Sequence, residues 1–229
     1  MLVVSSAITE RFGAGPNFIA SSIKKLPKKG MVGILQERRK RIFDFLIASF
    51  LLVFLAPILV LIAIAIKLTS DGPVLFQQRR YGRFKIQFTI LKFRTMSVME
   101  SGDNFTQAQK NDPRITKLGA FLRRTSLDEL PQLWNVLCGD MSLVGPRPHA
   151  IAMDDEYARL IPGYNRRFLM KPGITGLAQC KGFRGNTEKM RQMIGRLCRD
   201  VYYVRNRSMM LDMRILAMTV VSLLTHDAY

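Results

Sequence analysis

Histidine, cysteine and acid are all in short supply. The 229 residues hold two histidines, His149 and His226, and three cysteines, Cys138, Cys180 and Cys198. An odd number of cysteines with no Cys-x-x-Cys spacing excludes a disulfide framework and a zinc-type centre, and reads as reduced, buried thiols on the cytosolic side. Seventeen Asp and Glu face 35 Lys and Arg, a net charge of +18. Such an excess asks for an anionic partner: a membrane surface, a nucleic acid or a phosphorylated substrate. Nucleic acid is excluded next. The single tryptophan, Trp134, lies among Leu and Val, and the other aromatics fall largely in apolar runs, so there is no stacking platform or basic recognition helix. Met1 to Ile8 is mildly apolar, but Glu10 follows at once and no basic residue precedes it, so no cleavable signal peptide is expected.

The longest stretch without charge runs from Phe45 to Ile66, 22 residues that also lack glycine. As a helix it is about 33 Å long, close to the roughly 30 Å hydrocarbon thickness of a bilayer. Pro57 sits in its middle, where it removes the bond to the Val53 carbonyl and bends a helix. Arg38, Arg39, Lys40 and Arg41 precede the segment, and Lys67, Arg79 and Arg80 follow it. Basic residues at both ends favour the cytoplasm for both. A straight span accommodates the length; a kinked helix that re-enters the same leaflet accommodates both flanks. These physical signals leave the two open. Upstream, Met1 to Arg41 is rich in Gly, Ser, Pro and Lys and reads as a disordered basic tail drawn to anionic lipid.

Beyond the turn cluster Ser70-Asp71-Gly72-Pro73, Val74 to Gln77 reads as a strand, Arg79 to Arg83 as a basic turn, and the alternation of Ile86, Phe88 and Ile90 as a second strand. That hairpin delivers Lys92, Phe93 and Arg94 to its end. Ser101 to Pro113 is polar and loop-like. The most informative stretch is Ser126-Leu127-Asp128-Glu129-Leu130-Pro131. With Asp128 as N-cap, Pro131 falls in the first helical turn, where its missing N–H is harmless, and the two carboxylates sit at the positive end of a helix. Adjacent acids at a helix start are ordinarily structural. Here Arg123 and Arg124 lie one turn upstream, and Pro146-Arg147-Pro148 holds an arginine on a stiff, extended backbone. Together they read as an anion clamp around a nucleophile.

Glu156 to Phe168 and Glu188 to Val204 are predicted helices. In the second, Met190, Met193, Ile194, Leu197, Val201 and Val204 form an apolar stripe suited either to core packing or to the membrane interface. Lys171-Pro172-Gly173-Ile174-Thr175-Gly176 is a loop whose glycines allow close backbone approach to a substrate. Met209 to Leu224 is apolar but short, and Asp212 and Arg214 argue against a second span.

The segments Lys92-Phe93-Arg94-Thr95-Met96, Ser126 to Leu133, Met141-Ser142-Leu143-Val144-Gly145-Pro146-Arg147-Pro148 and Lys171 to Gly176, in that order, resemble the bacterial sugar transferases. These are monotopic phosphoglycosyl transferases that act on polyprenyl phosphate, and the likeness, to the short form of the family, covers about Arg38 to Tyr229. It implies an α+β, mainly helical fold. A basic tail (1–37) would precede a re-entrant membrane helix turning at Pro57 (38–70) and a small cytosolic catalytic domain with a short β-hairpin and amphipathic interfacial helices (71–229). It implies transfer of a hexose 1-phosphate from a UDP-sugar, glucose before galactose, to undecaprenyl phosphate at the cytoplasmic face of the bacterial inner membrane. Asp128 would be the nucleophile, and Glu129 would help to hold Mg²⁺. Lys92, Arg94, Arg123, Pro146, Arg147, Pro148 and Asp212 are the matching substrate-binding positions. Anionic lipids are expected partners; a homodimer and downstream glycosyltransferases are further candidates. Arg207 stands where such proteins often carry tryptophan.

Overall fold

The computed structural model describes residues 31–97, 112–183 and 190–225. The chain divides into two units, Met1–Leu35 and Gln36–Tyr229. Most of the expected basic tail and of the 101–113 loop lies outside the described residues. Residues 31–37, read from sequence as tail, are already helical.

Helix α1, Met31–Thr69, runs through Pro57 without interruption. It stops at Ser70 to Pro73, where Gly72 takes a positive φ of 111° that other residues resist. One face is turned inward: Ala48, Ile62 and Ile66 are buried. The other is left bare, with Phe50, Val53, Phe54, Leu61 and Leu68 all exposed. The hairpin follows as predicted but longer. Strands β1 (Leu75–Tyr81) and β2 (Gln87–Phe93) pair antiparallel from Leu75↔Phe93 to Tyr81↔Gln87. The expected basic turn is therefore strand up to Tyr81, and the chain reverses over Gly82 to Ile86, closed by Gly82 N–H on the Ile86 carbonyl at 2.8 Å.

Thr116 caps helix α2 (Lys117–Thr125) by accepting from Gly119 N–H. Ser126 then adopts a left-handed conformation (φ 61°), a single 3₁₀ turn covers Leu127–Glu129, and helix α3 runs from Gln132 to Cys138. Asp128 is thus not an N-cap. Leu130, Leu133 and Trp134 bond back three residues, so the carboxylates occupy a tight turn of their own, set off by Pro131.

Strand β3 (Ser142–Val144) pairs in parallel with β4 (Gly173–Thr175). Helix α4 (Ile151–Leu160) and a 3₁₀ stretch (Tyr164–Leu169) replace the single helix expected over 156–168, because Pro162-Gly163 intervenes and Gly163 has φ 80°. Short α5 (Leu177–Cys180) precedes α6 (Met190–Asn206) and α7 (Met209–Thr225). Among the described residues, α1 is the one helix long and apolar enough to cross a membrane. From Met193 onward the apolar stripe of α6 is core, with Met193 and Leu197 buried against Tyr164 and Phe168, while Met190 at its start is exposed. The glycines of 171–176 do serve close approach, but to protein. A Cβ on Gly173 would come within 2.0 Å of the Gly145 backbone nitrogen.

The largest buried cluster joins Ala48 of α1 to Ile90, Leu133, Val136, Met141, Leu143, Tyr203 and Ile215. A second contact forms where Ile62 and Ile66 meet Phe93 and Leu122. Both ends of the apolar helix therefore pack on the same folded unit.

Candidate active site

The carboxylate turn is fixed from two sides. Asn135 of α3 donates from Nδ2 to the Thr89 carbonyl at 2.8 Å and accepts Leu91 N–H on Oδ1 at 3.0 Å, which ties the helix to β2. Arg123 of α2 donates to Thr95 Oγ1 at 2.8 Å. The register brings Lys92, at the end of β2, against Glu129.

Glu129 is the electrostatic centre. Lys92 Nζ lies 2.8 Å from its Oε1, and Arg147 reaches the same oxygen at 2.5 Å and Oε2 at 3.1 Å. Burial alone would raise its pKa, but Arg147 and Lys92 overcome this and hold it well below the usual carboxylate range. Asp128, one residue earlier and 8% exposed, goes the other way. Burial and the charge of Glu129 push it up to about 6, against the pull of Lys92, Arg123 and Arg147. Two neighbouring acids are thereby driven apart, one permanently charged and one titrating near neutrality. Arg80 joins the group. Burial, and then repulsion by Arg147, lower its pKa to about 10, while Asp154 and Glu129 oppose the change. Lys92, Arg123, Arg147 and Arg80 thus face two carboxylates, a positive surplus suited to phosphate.

Of the positions singled out by sequence, Lys92, Arg123, Asp128, Glu129 and Arg147 come together. Arg94 does not join them. It is buried, with its guanidinium on the Asp71 carbonyl and, at 2.7 and 2.8 Å, on the Ser70 carbonyl and hydroxyl, where it fastens the end of α1 to β2. Asp212 is also turned elsewhere, accepting from Lys40 of α1 at 2.8 Å and from the Tyr203 hydroxyl at 2.7 Å. Pro146 and Pro148 line a depression beside Arg147. Pro57 lies within α1.

A buried ionic network beneath Pro146-Arg147-Pro148 escaped the sequence reading. Arg167 donates to the Arg147 carbonyl, to Tyr164 Oη at 2.7 Å and to Asp154 Oδ1 at 3.1 Å, and pairs with Asp200 at 3.2 Å. His149 Nε2 meets Arg196 Nη1 at 2.9 Å. Arg167 Nη1 faces the other ring nitrogen, Nδ1, where the Tyr164 hydroxyl also lies at 3.0 Å, so the imidazole is held between two guanidinium groups. Burial first, then Arg167 and Arg196, hold His149 well below its usual pKa, which keeps it neutral. A local signal existed for part of this network. Arg196 and Asp200 share the face of α6 that carries Met193, Leu197 and Val204, so two charges sit on a buried stripe.

No group of three or more His, Cys, Asp and Glu side chains converges among the described residues. Mg²⁺ is commonly held by one or two carboxylates together with substrate phosphates. Glu129, the position the resemblance implies for Mg²⁺, carries the charge such a site needs, and its two oxygens accept from Arg147 and Lys92.

The sequence model of the bacterial sugar transferase family matches residues 35–226. The chain belongs to this family. A Klebsiella pneumoniae relative named UDP-glucose:undecaprenyl-phosphate glucose-1-phosphate transferase is 51% identical over 181 residues, 79% of this chain and 39% of its own length. A Caulobacter vibrioides relative of the same name is 51% identical over 191 residues, 83% of this chain and 72% of the relative. The exopolysaccharide production protein PSS of Rhizobium leguminosarum is 50% identical over 190 residues, 81% of this chain and 95% of the relative. The chain thus matches about two fifths of the Klebsiella protein and nearly all of the Rhizobium protein.

Proposed function

We propose that this bacterial sugar transferase moves glucose 1-phosphate from UDP-glucose to undecaprenyl phosphate, releasing UMP, as the first step of exopolysaccharide synthesis. The observation that carries the reading is the buried Asp128–Glu129 pair, with Lys92 and Arg147 bonded to Glu129 and Arg123 on the adjoining helix. The names of relatives at about 50% identity favour glucose over galactose as the sugar.

In this reading an Asp128 carboxylate oxygen attacks the β-phosphorus of UDP-glucose. The bond from that phosphorus to the bridging oxygen breaks, and UMP leaves with the electron pair. An oxygen of the lipid phosphate then attacks the aspartyl-phosphoglucose, breaks the phosphorus–aspartate bond and restores the carboxylate. Glu129 stays ionised, and Arg147 and Lys92 are positioned to share their donors between it and the phosphoryl oxygens. Mg²⁺, when bound with the help of Glu129, would offset pyrophosphate charge.

A re-entrant α1 at the cytoplasmic face of the inner membrane belongs to the same proposal. An ordinary span would put Asp44 and Ile66 on opposite sides of a hydrocarbon layer roughly 30 Å thick. Asp44 accepts from Ser142 at 2.7 Å, while Ile66 packs with Phe93 and Leu122, and these partners belong to one folded unit. That supports both flanks on one side, with anionic headgroups around the basic residues.

Purified protein in nanodiscs, given UDP-glucose, undecaprenyl phosphate and Mg²⁺, should release UMP and form the diphospholipid-linked glucose. UDP-galactose should be used poorly. Asp128→Asn should lower turnover about a thousandfold or more. Full turnover by that variant would remove the nucleophile and with it the proposal.

A further inference from the structure

Prolines on both sides stiffen the Arg147 backbone, but they do not fix where the turn sits against the rest of the fold. Two hydrogen bonds do. Gly173 N–H donates to the Pro146 carbonyl at 3.0 Å, and the Arg167 guanidinium donates to the Arg147 carbonyl. The first continues the pairing of β3 with β4. The second comes from a side chain of the 3₁₀ stretch that is itself buried, with 3% of the residue exposed. Arg167 therefore has almost no surface to offer a substrate.

The guanidinium is aimed in turn. Nη1 donates to Tyr164 Oη at 2.7 Å and to Asp154 Oδ1 at 3.1 Å, and Nη2 pairs with Asp200 at 3.2 Å. The same Nη1 faces His149 Nδ1, while Arg196, one turn before Asp200 on α6, meets His149 Nε2 at 2.9 Å. Arg167 and Arg196, balanced by Asp154 and Asp200, thus grip two residues of the turn, Arg147 and His149.

Stability gives no reason for this arrangement. All four charged residues are buried, and apolar side chains of similar volume often serve stability as well or better. Tyr164, Phe168, Met193 and Leu197 already supply such packing alongside. What a charged network adds is direction: a planar donor pair pointed at one carbonyl. The side chain of that same residue makes the fork on Glu129. A fork tolerates little displacement, because a shift of the backbone bends both bonds together.

We propose that Arg167 is a positioning residue for the transfer reaction: through the Arg147 carbonyl it sets where the Arg147 fork meets Glu129, and Asp154, Tyr164 and Asp200 aim Arg167. The inference rests on the proposed function and adds to it a residue that acts on the site without touching substrate.

Two double-mutant cycles test this, one of them without turnover. The first compares urea unfolding midpoints of wild type, Arg167→Lys, Glu129→Gln and the double variant. Lysine keeps the charge beside Asp154 and Asp200 but cannot hold them and the carbonyl at once. Arg147 is the link between the two positions, so the drop in midpoint caused by Glu129→Gln should shrink by half or more once residue 167 is changed. The second cycle measures kcat and KM for UDP-glucose in Arg167→Lys, Arg147→Lys and their combination. Alone, Arg167→Lys should lower kcat about ten- to fiftyfold with KM changed less than about threefold; added to Arg147→Lys it should lower kcat less than about threefold further. A residue that only held the fold together would act by the same factor in both backgrounds and leave the Glu129→Gln drop unchanged. Additive midpoints or equal factors overturn the proposal. Should Arg167→Lys fail to fold, Tyr164→Phe, which removes a neutral hydroxyl from Arg167, goes through the same cycles, with smaller coupling in the same direction expected and additivity again overturning the assignment. The two readings fail separately. Coupled midpoints in a protein that releases no UMP from UDP-glucose uphold the positioning and remove the donor, whereas additive midpoints with full turnover remove the positioning alone.

Discussion

Arg147 holds Glu129 by both carboxylate oxygens, Nη2 on Oε1 at 2.5 Å and Nη1 on Oε2 at 3.1 Å. Lysine cannot reproduce that fork, because an ammonium presents a point charge. Arg147→Lys should therefore lose one charged hydrogen bond, about 1.5–3 kcal/mol, or roughly 10- to 150-fold in kcat/KM for UDP-glucose. Steady-state kinetics on the two proteins checks this. A loss below threefold would mean that the fork has no part in catalysis.

Removing the carboxylate has a different signature. Glu129→Gln leaves Lys92 and Arg147, with side chains 20% and 22% exposed, beside each other without their shared counter-ion. Breaking a largely buried ion pair from one side costs about 2–4 kcal/mol after allowance for this exposure. Urea unfolding followed by tryptophan fluorescence should show that loss, since Trp134 lies in α3 next to the site.

Asp128 should behave in the opposite sense. Its folded pKa of about 6 lies above the ordinary value of 3.8, so the folded protein binds that proton more tightly than the unfolded chain does. Below about pH 4 the group is protonated in both states and has no effect. Between pH 4 and pH 6 ionisation increasingly favours unfolding, and above pH 6 the penalty is complete. Asp128→Asn should then be more stable than wild type at pH 7.5, by about 1–3 kcal/mol, and equal to it near pH 4. Unfolding curves at both pH values decide the matter: equal stability at pH 7.5 would contradict the buried, raised carboxyl. The same variant should be inactive, a case of stability given up for function.

Catalysis should report the same proton. A nucleophilic carboxylate must be ionised, so kcat/KM should fall as pH drops through an apparent pKa of about 6. The value belongs to the Asp128–Glu129 pair rather than to either acid alone. An acid limb near 4 in the pH–rate profile would show that Asp128 is solvated in the working enzyme.

The hairpin and the apolar helix were legible in the sequence because each follows one period or one long run. The carboxylate turn was legible in part: Pro131 announced a boundary, but nothing local told an N-cap from a separate 3₁₀ turn held by left-handed Ser126. Arg94 was misleading for a physical reason. In sequence it sits two residues from Lys92, yet it lies past the end of β2, where its long side chain turns back to the carbonyls of Ser70 and Asp71. The network of His149, Asp154, Arg167, Arg196 and Asp200 could not be assembled beforehand, since its members come from four separate stretches of chain. Only the charges on the buried face of α6 hinted at it.

The two ends of α1 lead to the last prediction. Near the N-terminal end, Arg41 donates to the Leu137 carbonyl at 2.6 Å, Lys40 to Asp212 and Asp44 accepts from Ser142. At the C-terminal end Arg94 holds the Ser70 carbonyl. A bilayer threaded between these ends would have to break one set or the other, at about 1–3 kcal/mol for each buried charged contact. Single cysteines at Arg39 and at Thr69, both exposed, in a background lacking Cys138, Cys180 and Cys198, should react with an impermeant maleimide only from the cytoplasmic side. Inverted and right-side-out vesicles compare the two faces directly. Labelling of the two positions from opposite sides would require α1 to cross the membrane, and one of its two anchoring contacts would then have to be absent in the cell.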